Sequence, residues 1–294
     1  MKKGKEFRMR GKLKGILFIL LAAAGFSLMS VFVRLSGALP VMEKVLFRNL
    51  VAAVAAFVML KKSGERFFVG RGNYFPLFMR SLLGTLGVIA NFWAIDHLGI
   101  ADANMLNKMS PFFAIIMSLL ILGERPSRAD LSCLLVALCG AALVIKPGTG
   151  LAQLPALVGL FGGFAAGTAY TYIRKTGQGG VRGPVIILCF SVFSCLACIP
   201  FLLTDFQPMT GRQLLFLLLA GAAATLGQVG ITAAYSFAPA KEISVFDYSQ
   251  VVFAALFGLL FWGELPDRWS VLGYVLIIGT AVYRWNRARS SCTA

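Results

Sequence analysis

Some ionisable side chains of this chain stand deep inside long apolar runs, where simple packing does not explain them. At the ~1.5 Å rise of a helix, Arg48 and Lys108 lie about 10 to 12 Å below one surface of a bilayer, and Arg80, Asp247 and Gln228 about 10 Å from the other. Glu43 and Asn49 accompany Arg48, and Asn104, Asn107, Ser110 and Pro111 accompany Lys108. Tyr248, Ser249 and Gln250 continue inward from Asp247. A guanidinium grips a carboxylate with two parallel hydrogen bonds, whereas an ammonium acts as a point charge. Both are chemistries of binding. Arg80 and Asp247 at matching depth can also form a structural ion pair, and Arg80 is near enough to its surface to snorkel.

Bond-breaking chemistry has no comparable set of residues. The chain contains no His-Glu-x-x-His run, no nucleophile elbow and no acidic metal cluster, and its one histidine, His97, has no partners in sequence for acid–base work. The six cysteines, Cys133, Cys139, Cys189, Cys195, Cys198 and Cys292, fall almost entirely inside apolar runs, and Cys195-x-x-Cys198 has no second pair to complete a metal site. They read as small packing residues. No catalytic residue, no metal and no cofactor is expected.

The elements that position these groups follow from composition. Of 294 residues 58% are hydrophobic and 14% charged, with mean hydropathy +0.80, against roughly 25% charged in soluble domains. This is the composition of an integral membrane protein. The net charge of +16 would suggest nucleic acid in a soluble chain, but here the basic residues flank apolar segments, so membrane topology explains them and no nucleic-acid partner is expected. A crossing helix needs about 20 mostly apolar residues. On that rule the spans are 14–35, 41–60, 74–95, 100–122, 129–146, 155–174, 184–204, 213–235, 242–262 and 269–286.

The chain is also a tandem duplication. Ala101 to Arg128 is an apolar run closed by Gly123, Glu124, Pro126 and Arg128, and 140 positions on, Lys241 to Arg268 ends on Gly263, Glu264, Pro266 and Arg268. The same register pairs Arg34 with Arg174, Gly37 with Gly177, and Thr85-Leu86-Gly87 with Thr225-Leu226-Gly227. Arg34 and Gly37 therefore place the apolar stretch after the basic start in the first repeat, so it is expected to be a retained helix and not a cleaved leader. Most of the 28 basic residues fall on one side if both termini are cytoplasmic. Five spans per repeat is an odd number, so the second copy enters from the opposite face, the inverted build of many secondary transporters. Glycines at Gly159, Gly163 and Gly167, at Gly84 and Gly87, and at Gly221, Gly227 and Gly230 mark faces for close helix packing or sliding.

Ten spans, a five-plus-five inverted repeat and Gly-Glu-x-Pro after the fourth and ninth spans resemble the EamA-type members of the drug/metabolite transporter superfamily, over about residues 14 to 286. The resemblance implies an all-α membrane fold. Its parts would be a basic N-terminus at 1–13, five-helix repeats at 14–146 and 155–286, and a cytoplasmic tail at 287–294. It also implies a central cavity walled by the first, third, fourth, sixth, eighth and ninth helices, with the fifth and tenth at the periphery. Glycine suits a helix C-terminus and proline stops the helix, so the signature residues read as structural.

The expectation is a secondary transporter in the cytoplasmic membrane working by alternating access. Its substrate-binding residues would be Arg48, Arg80, Trp93, Asn107, Lys108, Gln228, Asp247, Tyr248 and Gln250. Deep cations outnumber deep acids, which favours a small amphipathic metabolite with an anionic group, a carboxylate first, gripped by Arg48 with Lys108 as a point charge. Trp93, Phe92, Phe112 and Phe246 are candidates to hold its apolar part. Competing readings are export of cationic or neutral drug-like compounds through Asp247 and Glu43, export of amino acids, and a non-transporting scaffold. Proton coupling, with Asp247 as the carrier, stays open, because a neighbouring Arg80 would hold it ionised.

Overall fold

Hydrocarbon offers the backbone no hydrogen-bond partner, so a crossing segment must satisfy its own amides, and the helix does so locally. The computed structural model describes residues 2–63, 67–123, 128–145, 154–237 and 244–290. Glu124, Arg125, Pro126, Lys146, Lys241 and Cys292 lie outside them. Among the described residues every regular element is helical. The helices are α1 (Lys2–Leu35), α2 (Val41–Lys62), α3 (Tyr74–His97), α4 (Ile100–Asn107), α5 (Ser110–Leu122), α6 (Arg128–Ile145), α7 (Leu154–Gln178), α8 (Gly183–Asp205), α9 (Gly211–Phe237), α10 (Ser249–Trp262) and α11 (Arg268–Ser290). Two 3-10 turns, Arg71–Asn73 and Ser244–Tyr248, precede α3 and α10.

Among the described residues six stretches are long and apolar enough to cross a membrane: Leu13–Leu35, Arg71–His97, Ile100–Leu122, Leu154–Gln178, Gly183–Asp205 and Gly211–Gly230. The 22-residue α2 is interrupted by charge at Glu43, Lys44 and Arg48, and α6, α10 and α11 carry shorter apolar stretches. With α4 and α5 counted as one, and the turn Ser244–Tyr248 joined to α10, the described residues form ten helical segments, numbered here as spans one to ten.

Helices pack by a regular scheme. α1 lies on α9 as α3 lies on α7, α1 meets α10 as α7 meets α5, and α2 touches α9 as α8 touches α3. α2 with α8, α4 with α10, and α6 with α11 form the remaining principal pairs. Exchanging each span with the one five places along maps these principal pairs onto one another. Met105, Leu106, Phe112, Ala137 and Ile277 form one buried cluster, and Val33, Phe92, Ile95 and Ala224 another.

The fourth span is broken in the middle. Pro111 has no amide proton to give Asn107, and the chain turns three residues earlier, at Lys108 and Met109, where Met109 N–H reaches back only to Leu106 O at 3.1 Å. The ninth span is interrupted at the equivalent place, between the 3-10 turn ending at Tyr248 and α10, without a proline. Both spans end on a left-handed glycine, Gly123 at φ 71° and Gly263 at φ 68°, a conformation that side chains resist. α7 lies directly against the first break: a Cβ on Gly163 would come 2.6 Å from Leu106 O, and one on Gly167 would overlap Ser110 O. The glycine stripe read from the sequence thus packs on the interruption.

Candidate functional site

Each half-helix delivers one charge to the break. Lys108 ends α4, where the partial negative charge of unpaired carbonyls favours a cation, and Asp247 sits in the turn before α10. They meet as an ion pair, Lys108 Nζ to Asp247 Oδ2 at 2.5 Å. The sequence reading weighed Arg80 as the partner of Asp247, and the fold brings Lys108 there instead. Around the pair, Tyr248 OH donates to Lys108 O at 3.3 Å, and Gln250 Nε2 donates to Asn104 Oδ1 at 2.6 Å. Ser27 Oγ donates to Gln250 O at 2.8 Å and Asn104 Nδ2 to Ser30 Oγ at 3.2 Å, which ties α1 into the same network. Asp247 Oδ1 is buried without a hydrogen bond. Asn107 closes α4 beside Gly163 and is half-buried.

A second group forms where α2, α3 and α8 meet. The Arg48 and Arg80 guanidinium carbons lie 5.7 and 4.2 Å from the centroid of one ring, Phe190. Both arginines are almost fully buried, 5% and 6% exposed. Arg48 Nη1 donates to Asn49 Oδ1 at 2.8 Å. The Nε of each has no hydrogen-bond acceptor, and among the described residues neither guanidinium has a carboxylate partner. Gly84 makes the space: a Cβ there would overlap Arg80 Nη1 and come 2.9 Å from the Phe190 ring. Charges held this deep are costly, and a cation over a ring recovers only part of the lost hydration.

Lys44 and Arg34, nearer the helix ends, are matched by acids. Lys44 Nζ bonds both oxygens of Asp96, at 2.7 and 2.6 Å. Arg34 pairs with Glu264 at 2.5 Å and lies 4.8 Å from the Trp262 ring, while Glu264 Oε2 accepts Ile100 N–H at 3.4 Å. This clip joins α1, α4 and α10, in keeping with a structural role for the signature glutamate. Beside it a cavity of about 280 Å³ is lined by Asp102, Gly258, Glu264, Asp267 and Tyr274, with Tyr274 OH donating to Asp102 Oδ1 at 2.6 Å. Trp93 stacks on His97 at 4.1 Å at this end of α3, away from Phe190. Phe92 and Phe112 are core residues, and Gln228 and Phe246 are half-buried.

The comparisons with known proteins can be set beside this geometry. The profile of the EamA-like transporter family matches residues 13–146 and again residues 153–283. The chain belongs to the EamA-like transporter family. Among relatives of this EamA-like protein, the pseudopaline exporter CntI of Pseudomonas aeruginosa is 36% identical over 267 residues, covering 90% of this chain and 93% of that one. The riboflavin transporter of Rhizobium johnstonii is 29% identical over 283 residues, covering 92% and 90%. A crystal structure 16% identical superposes with a TM-score of 0.66 over 94% of this chain and 98% of the other, a likeness of fold alone. This EamA-like chain is a membrane transporter, and family and relatives alike indicate transport rather than enzymatic chemistry.

Of the expected site residues, the fold gathers Lys108, Asp247, Tyr248 and Gln250 in one place and Arg48 with Arg80 in another. Phe190, which joins the arginines, and Asn104, which anchors Gln250, were not in the expected set. Asn104 was visible as a polar residue beside Lys108, whereas nothing distinguishes Phe190 among 25 phenylalanines.

Proposed function

We propose that this transporter moves a small amphipathic metabolite bearing an anionic group, a carboxylate first, across the cytoplasmic membrane by alternating access. One observation carries the reading. Among the described residues the buried cations are Lys44, Arg48, Arg80 and Lys108; there the two lysines have acids, whereas the two arginines have a shared ring and, for Arg48, an amide, with no carboxylate. An anion between them offsets the desolvation that the protein leaves uncompensated. Broken spans at equivalent positions, meeting at Lys108 and Asp247, supply the moving part, since half-helices can swing about such breaks. We place the repeats at 14–146 and 155–286, inverted, with both termini cytoplasmic. The exchange symmetry of the helix contacts and the double family match support that arrangement. Trp93, Asn107, Gln228, Tyr248 and Gln250 complete the proposed path, and the name of the Pseudomonas aeruginosa relative supports outward movement.

A second reading, a cationic substrate, draws on Glu43. This carboxylate is fully buried, accepts Gln207 N–H at 2.7 Å on one oxygen and has no partner on the other. Counterflow in proteoliposomes separates the two. Under the anion reading Arg48→Gln and Arg80→Gln each lower carboxylate transport at least tenfold, about 1.4 kcal/mol, while Glu43→Gln does not. Full carboxylate transport by both arginine variants, or transport of cations lost only in Glu43→Gln, would overturn it.

A further inference from the structure

We infer that Arg48 and Arg80 form one subsite for two carboxylate groups of the same substrate. This rests on the anion reading above and narrows it to a dicarboxylate class. The first warrant is charge. Two guanidinium groups on one buried ring repel each other, and a monocarboxylate would neutralise only one of them.

The second warrant is the free edge on each arginine. A guanidinium binds a carboxylate most tightly through two parallel N–H donors, and the edge that includes Nε is one such fork. Nε is buried and unpartnered in both residues. Arg48 is anchored elsewhere, through Nη1 to Asn49, and Arg80 is fixed by the Phe190 face and the gap at Gly84, so neither anchor uses Nε. Two forks held by separate anchors suit two planar acceptors better than one tetrahedral group.

The third warrant is placement. The register of the duplication puts Leu188, Ala220 and Leu50 opposite Arg48, Arg80 and Phe190. The cluster, built by α2 and α3 of one half with α8 of the other, therefore has no second copy under the exchange, and a cluster needed merely to hold the scaffold would be expected twice.

The test is binding to the purified protein in detergent, read as a shift in melting temperature and as equilibrium affinity at constant ionic strength. The probes are malonate, succinate and glutarate, their monomethyl esters, acetate and inorganic phosphate. At least one diacid should bind at least ~10-fold more tightly than its own monomethyl ester, and Arg48→Lys and Arg80→Lys, which keep the charge but lose the fork, should abolish that preference. The ester comparison is made within wild-type protein, so it holds even if the variants fold poorly. Equal binding of diacid and ester, binding of phosphate at least as tight as any diacid, no binding of any diacid, or an unchanged preference in both lysine variants would overturn the inference. Equal binding of diacid and ester would leave the anion reading standing, whereas carboxylate transport unaffected by Arg48→Gln and Arg80→Gln would remove both.

Discussion

Lys108 and Asp247 are 139 residues apart in sequence and share a hydrogen-bonded ion pair at the interruptions of two spans. Removing one member of a buried pair leaves the other charge without compensation, typically about 3–5 kcal/mol, whereas replacing both by apolar residues is far milder. Asp247→Leu and Lys108→Met should therefore each lower the melting temperature clearly, and the double variant should recover most of the loss. A double variant no more stable than the worse single one would show that the two do not act as a unit, the standard logic of a double-mutant cycle. That these residues stand within apolar runs was legible in the sequence, because such runs can be counted. Their partners were not, since pairing depends on how each helix is rotated about its axis. Arg80 and Asp247 are expected at one depth from their runs, yet Arg80 faces α8 and Asp247 faces the end of α4.

At the scale of elements, the fourth span's interruption was announced by Pro111, although the turn falls at Lys108 and Met109, one hydrogen bond earlier. The ninth span's interruption carries no proline, and although Asp247 and Ser249 are of types that favour caps and turns, such residues are too common in helices to mark a break by themselves. The glycine stripe of α7 was also legible, and its contact with the first break gives it a specific consequence. Gly167→Leu would drive a side chain into Ser110 O and the backbone of Ala114. Overpacking of this kind costs about 1–3 kcal/mol, and it should also hold α7 away from the break. Gly279→Leu is the control, because nothing lies within 4 Å of a Cβ at that position of α11. Melting and counterflow measured together should show both quantities reduced in Gly167→Leu and near wild-type values in Gly279→Leu. Equal behaviour of the two would mean that the close approach at the break is unimportant.

For the whole molecule, the Gly-Glu-x-Pro-x-Arg run recurs 140 positions on, the family profile matches twice and the principal helix contacts map onto one another under exchange of spans, but none of these fixes how the chain faces the membrane. Five spans per repeat requires that equivalent positions lie on opposite sides. Ala38 follows α1 and Gln178 ends α7; they are 140 positions apart and both are exposed. Single cysteines at these positions, in a background with the six native cysteines replaced, should react with a membrane-impermeant maleimide from opposite faces. With the basic N-terminal segment in the cytoplasm, Ala38→Cys should label in intact cells and Gln178→Cys only after the membrane is opened. Labelling of both from one face would rule out the inversion, and with it the idea that the Lys108 and Asp247 half-helices approach a common site from opposite surfaces. Labelling from opposite faces with the sides reversed would keep the inversion and overturn the cytoplasmic placement of the termini. The arginine cluster, made by α2, α3 and α8 together, has no copy at the positions 140 residues away, so an inverted scaffold would present it unequally to the two faces in its two packings, and substrate would meet both guanidinium groups from a preferred side.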